Sequence, residues 1–157
     1  EMRRTIVRPV YFMQNFEAMA EAIRDGELAL PLAPDVELEL VDAADVGRIA
    51  ATAFADPVAF DGQTFELAGD ALTLESIADA FGDALDRDVD AVSLDPTDYD
   101  VRETLGRDVT KLFEWFNEGR YGIDPDAVAE RFGVRPRTFT EYLADEETWR
   151  PAPAATR

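Results

Sequence analysis

Short segments with the two-residue period of β-strands alternate along this chain with longer segments that have the 3.6-residue period of helices. The pattern predicts strands at 5–7, 28–30, 36–41, 64–68 and 89–94. Helices are predicted between them in the order β, α, β, β, α, β, α, β, and the chain becomes mainly helical after residue 96. This order predicts an α/β fold with a parallel-type sheet that carries helices.

Two of the predicted strands have a defined end or face. The strand Thr5–Val7 is expected to end before Pro9, because proline lacks the N–H that a strand ladder needs. In the strand at 36–41, apolar residues alternate with glutamates, so Glu37 and Glu39 are expected to face outward.

The helical segments carry their own start signals and apolar faces. The stretch Asp42–Asp45 supplies helix-starting residues, and Phe54 lies on the apolar face of the helix that follows. Thr73 and Thr138 are placed to cap two later helices. A wide apolar stripe predicts one further helix and consists of Leu105, Val109, Leu112, Phe113 and Phe116.

The charge balance is strongly acidic, with 34 Asp and Glu against 15 Lys and Arg and a formal net charge of −19. The hydrophobic fraction of 46% nevertheless predicts a folded chain and not a disordered one. Because molar salt screens repulsion between exposed carboxylates, we expect a protein of a halophilic organism. The alternative is an acidic binding patch. Nucleic acid is not an expected ligand, since no basic stripe is present.

The chain has no His and no Cys, which excludes a Ser-His-Asp triad, a thiolate nucleophile and an ordinary zinc site. No run reaches the roughly 18 to 20 apolar residues that a membrane span needs, and no signal-peptide pattern opens the chain. We therefore expect a soluble, cytoplasmic protein.

Six segments form a characteristic series along most of the chain. They are TIVRPVYFMQNF at 5–16, VDAADVG at 41–47, DP at 56–57, FELAGD at 65–70, LTLESIA at 72–78 and LFEWF at 112–116. In this order and spacing they resemble NmrA-like proteins, an atypical branch of the short-chain dehydrogenase/reductase superfamily. The resemblance implies the C-terminal part of a Rossmann-like NAD(P)-binding fold with a small α-rich substrate lobe. It assigns residues 1–150 to this domain, and the Pro- and Ala-rich composition of 151–157 predicts a flexible tail.

Two motifs of the superfamily are missing. A dinucleotide loop needs closely spaced glycines between a strand and a helix, and the best candidate here, Gly119 to Gly122, follows a helix. The Tyr-x-x-x-Lys pair is absent too, because Arg107 precedes the single Lys111 by four residues. We therefore expect that the N-terminal nucleotide-binding unit is absent, that the chain alone binds NAD(P) weakly or not at all, and that no residue is assignable as catalytic.

The resemblance places the segment 8–15 beside the nicotinamide end of the cofactor and the substrate cleft. It implies that a cofactor-binding wall is formed by Pro9, Tyr11, Phe12 and Asn15. A strand that ends at a proline also directs the following residues off the carboxyl edge of a sheet, where α/β proteins bind ligands. The alternative is that Phe12 and Phe16 are core residues and that Asn15 is a hydrogen-bonded residue at a helix start.

Two other clusters are weaker candidates. Asp42 and Asp45 could form a catalytic or metal-binding carboxylate pair, but a helix cap at Asp45 is the preferred interpretation, and no metal is expected. Trp115 and Tyr121 could line a cleft or a partner surface, although aromatics on a helical stripe are more often core.

The resemblance implies an NAD(P)-linked oxidoreductase that acts on a small carbonyl or quinone, with this chain on the substrate side of the cleft. One alternative is a non-catalytic redox-sensing regulator that binds a protein partner. Another is a homo-oligomer, formed through an exposed edge of the strand at 5–7.

Overall fold

The computed structural model describes residues 3–119 and 122–150. Its strands are β1 Ile6–Pro9, β2 Tyr11–Phe12, β3 Glu27–Leu30, β4 Glu37–Val41, β5 Thr64–Leu67, β6 Asp70–Thr73 and β7 Asp90–Ser93. Its helices are α1 Ala20–Asp25, α2 Ala43–Ala55, α3 Leu74–Leu85, α4 Tyr99–Leu105, α5 Arg107–Phe116, α6 Pro125–Phe132 and α7 Phe139–Asp145. Short 3₁₀ segments span Met13–Met19 and Glu147–Trp149.

The strand pairs confirm the predicted α/β class. β1 pairs with β5, β2 with β4 and β3 with β7, and each of these pairs is parallel. β4 also lies between β2 and β6. Since helices connect the paired strands along the chain, the architecture is that of a parallel α/β protein.

The described residues form two compact units. Unit 1 contains residues 3–15, 39–71 and 122–142. Unit 2 contains residues 16–38, 72–119 and 143–150. The tail at 151–157 lies outside the described residues.

The core of unit 1 includes an aromatic cluster between β5 and α6. The ring of Phe60 stacks on Phe132 at a centroid distance of 5.3 Å, and Phe65 packs edge-on against Phe132 at 4.7 Å. The Arg131 guanidinium lies 4.7 Å from the centroid of the Phe60 ring, which adds a cation–π contact.

The core of unit 2 is built around α3, which packs on β3 and β7. As predicted, Thr73 caps α3: its hydroxyl accepts a hydrogen bond from the Ser76 N–H at 3.2 Å. Phe81, on the buried face of α3, contacts Phe16 at 5.3 Å and Trp149 at 4.7 Å between ring centroids. These rings are all buried, so the aromatic contacts exclude water from the unit.

The prediction that β1 ends before Pro9 is wrong, because the strand continues through this residue opposite Leu67. The ladder to β5 uses the N–H groups of Ile6 and Val10, which donate to Gln63 and Leu67 at 2.9 and 3.2 Å. Alternate residues of a strand face opposite sides, so the nitrogen of Pro9 points away from β5 and no bond is lost.

Two further strands, β2 and β6, were not predicted. β2 has only two residues and β6 has four, and neither alternates clearly between apolar and polar residues. β2 also directly precedes the 3₁₀ segment, in a stretch where the sequence predicts only a helix between the strands at 5–7 and 28–30. These strands depend on their neighbour β4 more than on their own periodicity.

Some predicted faces are wrong. Glu39 is 5% exposed, and its carboxylate accepts the Ile123 N–H at 2.7 Å, so it faces inward with a hydrogen-bond partner. Phe54 is 84% exposed in the last turn of α2, beyond the buried positions of that helix. The apolar stripe after residue 105 is divided as well, since Phe113 is buried whereas Leu112 is 42% exposed.

Candidate functional site

The carboxyl ends of the parallel strands in unit 1 form the candidate site. β1 ends at Pro9 beside Leu67 of β5, and β2 ends at Phe12 beside Val41 of β4. Because the strands of each pair run in the same direction, both strands of a pair end at the same edge. Open α/β sheets bind ligands outside the carboxyl ends of their strands.

Tyr11 and Asn15 are joined at this edge. Tyr11 is half-buried, whereas Asn15, four residues later in the 3₁₀ segment, is exposed. Burial raises the pKa of the Tyr11 phenol to about 12, and a hydrogen bond with the Asn15 side chain opposes this rise. The phenol therefore keeps its proton at neutral pH, where it can donate a hydrogen bond but cannot act as a base.

The other two predicted residues of the wall, Pro9 and Phe12, are both half-buried. Phe16, in contrast, is fully buried in unit 2. Phe16 is therefore a core residue, as the alternative interpretation predicted, whereas Phe12 is only half-buried. The edge thus presents an apolar surface beside a phenol and an amide, which is the mixture found in small-molecule sites.

The sequence did not single out Gln14, which connects the 3₁₀ segment to the start of α2. Its side-chain amide donates to Asp42 at 2.7 Å, and its side-chain oxygen accepts the Ala43 N–H at 3.1 Å. This double contact fixes the segment that carries Asn15. The available signal was the position of Gln14 inside the motif at 5–16.

Asp42, and not Asp45 as predicted, is the cap of α2. The Asp42 carboxylate accepts the Ala44 N–H at 2.9 Å, and its second oxygen pairs with the Arg137 guanidinium. Asp45 lies inside the first turn and is fully buried. Asp42 has the extended backbone of a cap residue. The cap therefore lies three residues before the predicted position, Asp45.

Asp45 joins α2 to the chain before α7. Its carboxylate accepts the backbone N–H of Arg137 at 2.5 Å and pairs with Arg48 in its own helix. Asp42 and Asp45 are thus both occupied by structural partners, which argues against a catalytic carboxylate pair. Among residues 3–119 and 122–150, no group of three or more acidic side chains is arranged to hold a metal ion.

Trp115 is 39% exposed and contacts Phe116 at a ring-centroid distance of 5.7 Å, so it is not the core residue that the sequence predicted. On α5 it follows the buried Phe113 and precedes the buried Phe116, at a position that stays partly exposed. Tyr121 lies outside the described residues. Within the described ranges, no helix combines the length and the apolar composition needed to cross a bilayer.

The edge fits one end of a nicotinamide dinucleotide better than the other. Phe12, Tyr11 and Asn15 offer the apolar wall and hydrogen-bonding groups that a carboxamide-bearing ring needs. No two of the nine glycines of the sequence stand two residues apart, so a Gly-x-Gly turn for a pyrophosphate is absent from the sequence. The residues present therefore fit the ring and not the pyrophosphate.

The fold is shared with solved NAD(P)-binding proteins. One is the Escherichia coli NADPH-dependent quinone oxidoreductase QOR2 complexed with NADPH, with a TM-score of 0.71 and 21% identity over 87% of this chain and 51% of that one. Another is NmrA, a negative transcriptional regulator, in complex with NADP, with a TM-score of 0.67 and 23% identity over 92% of this chain and 52% of that one.

Sequence comparison agrees with the fold. YesF, an uncharacterized oxidoreductase of Bacillus subtilis, is 26% identical over an alignment of 149 residues that covers 89% of this chain and 52% of the relative. The sequence model of the NmrA-like family matches residues 2–143. The chain therefore belongs to the NmrA-like family, as the six motifs indicated. It spans about half the length of the curated relatives it matches.

Proposed function

We propose that this chain forms the substrate and nicotinamide side of the cleft of an NAD(P)H-dependent oxidoreductase that acts on a small carbonyl or quinone. The observation that carries the proposal is the Tyr11–Asn15 pair at the carboxyl edge of parallel strands. Such a cofactor supplies a hydride when bound.

The residues at this edge would bind and orient. The protonated Tyr11 phenol can donate a hydrogen bond to a carbonyl oxygen, and Asn15 can both donate and accept. Pro9 and Phe12 would shield the ring from water. The Gln14 contacts to Asp42 and Ala43 hold the segment in place, which reduces the entropy lost on binding.

The experiment uses reduced nicotinamide mononucleotide, which carries the ring and lacks the adenylate half. We expect this probe to shift the amide NMR signals of residues 10–15 of the 157-residue chain, with a dissociation constant of about 1 mM. Asn15→Ala should weaken binding about fivefold to tenfold, because one hydrogen bond to the ring's carboxamide is lost.

Thr64→Ala is the matched control. Thr64 is an exposed polar residue at the amino end of β5, so it lies at the opposite edge of the same strand pair. Equal weakening by the two variants, or shifts that spread evenly over the chain, would contradict the proposal. Micromolar binding of NADPH to the chain would contradict the further prediction that the pyrophosphate site is missing.

The regulator alternative predicts the same nicotinamide contacts without turnover. The solved NmrA regulator shows that a protein of this fold can bind NADP and regulate transcription. No observation on this chain favours that alternative over the oxidoreductase. A halophilic source, a cytoplasmic location, a protein partner and a homo-oligomer through β1 all stay predictions.

A further inference from the structure

A cavity of about 600 Å³ that is open to solvent lies between helices α4 and α5 of unit 2. The chain turns between the two helices at Gly106, whose φ of +81° suits glycine. The lining includes Tyr99, Arg102 and Glu103 from α4 and Arg107, Thr110 and Lys111 from α5. This volume is in the range of pockets that take small molecules.

The cavity is basic in a protein that is otherwise acidic. Three of the 15 basic residues of the chain, including the single lysine, line it with one acid, Glu103. Arg102 and Lys111 share the carboxylate of Glu114, at 2.7 and 3.3 Å. The lining itself therefore carries three cations and one carboxylate, and Arg107 is the lining cation that Glu114 does not pair.

Arg107 and Tyr99 are two lining groups that the fold leaves available, as it also leaves the acid Glu103. Neither side chain makes a hydrogen bond, ion pair or ring contact with another residue of the described ranges. The Tyr99 side chain is also 73% exposed, so its ring does not contribute to a core. A guanidinium binds carboxylates through two parallel hydrogen bonds, and an aromatic ring stacks on another ring.

We propose that the cavity between α4 and α5 binds a small aromatic carboxylate, whose carboxylate contacts Arg107 and whose ring packs on Tyr99. Arg102 and Lys111 add attraction at longer range, and Glu114 holds them in place. The site lies within unit 2 and uses none of the residues of the Tyr11 edge, so it stands independently of the proposed oxidoreductase function.

The experiment is a calorimetric titration of the 157-residue chain with benzoate and, separately, with benzyl alcohol, in 0.1 M KCl. We expect benzoate to bind with a dissociation constant of about 1 mM or lower, and the neutral alcohol to bind at least tenfold more weakly. Binding of benzoate should weaken in 1 M KCl, where the screening length falls to about 3 Å.

Two variants locate the site. Arg107→Gln should weaken benzoate binding at least tenfold. Arg150→Gln removes the same charge from another exposed position of unit 2 and should leave binding unchanged. Tyr99→Ala should weaken benzoate binding, because the benzoate ring loses its packing on Tyr99.

Equal binding of benzoate and benzyl alcohol, equal effects of the two arginine variants, or no heat change up to 10 mM benzoate would each overturn the proposal. Circular dichroism of each variant separates loss of binding from loss of folding. Reduced nicotinamide mononucleotide is the probe for the other site, so failure of one proposal does not affect the other.

Discussion

The two units use charged side chains in opposite ways. In unit 1, Asp42 and Asp45 are 1% and 0% exposed, and their partners are backbone N–H groups, Gln14 and arginines. In unit 2, Arg102 and Lys111 are 48% and 61% exposed and share one partly exposed glutamate. The buried group fixes where the chain runs, whereas the exposed group leaves charge available to a ligand.

This difference shows which acidic side chains are free to bind a substrate or a metal and which are not. A buried carboxylate is stable only when its oxygens are hydrogen-bonded or paired, so its partners occupy the sites that a substrate or metal would need. An exposed cation is surrounded by water and can exchange that water for a ligand at little cost. The candidate chemistry therefore lies with Tyr11 and the exposed arginines, and not with the many acids.

The largest predicted effect is on the free energy of unfolding, and it comes from removing a carboxylate from the buried group of Asp42, Asp45 and their partners. Asp45→Ala leaves the Arg137 N–H and the Arg48 guanidinium without their carboxylate. We expect the free energy of unfolding to fall by about 3 kcal/mol, measured by urea denaturation. Asp83→Ala, at an exposed position of α3, is the control and should change stability by less than about 0.5 kcal/mol. Similar losses in both variants would remove the distinction between buried and exposed acids.

A smaller effect is expected at Tyr11 and depends on pH. Burial raises the pKa of the phenol from 10.0 to about 12, so the folded state keeps a proton that the unfolded chain releases above pH 10. This contribution to stability is complete below pH 10 and is lost as the pH rises through 12. Relative to Tyr11→Phe, the protein should lose roughly 2 to 3 kcal/mol between these values. Parallel pH profiles of the two proteins would show that burial does not shift this phenol.

The smallest effect on stability is predicted for the exposed group of Arg102, Lys111 and Glu114. Hydrogen bonds from Arg102 and Lys111 lower the pKa of Glu114, so it stays ionised into the acidic range and loses both pairs only when protonated. Glu114→Gln should lower the melting temperature by less than about 3 °C at pH 7, because water and salt screen exposed pairs. The difference should vanish in 1 M KCl. A loss as large as that of Asp45→Ala would make the exposed group a structural one.

Local features of the fold were predictable from the sequence. Thr73 caps α3, Asp124 caps α6 ahead of Pro125, and a capping box joins Thr138 to Glu141 at the start of α7. Each of these signals involves residues within four positions of one another, so no knowledge of the rest of the chain is needed. The placement of Tyr11 at a ligand-binding strand edge came from the resemblance of the motif at 5–16 to NmrA-like proteins, and its role there stays a prediction.

Other features depend on contacts between segments that are far apart in the sequence. Asp45 and Arg137 are 92 residues apart, and Glu39 and Ile123 are 84 apart, so no local pattern could show that these acids are buried. Tyr11 acquires its raised pKa from burial, which periodicity does not report. The sequence by itself determined the α/β class, five of the seven strands and the family, because these depend on local spacing and residue type. The tertiary structure decided which charges are buried, since burial depends on contacts that the chain makes only after it returns on itself.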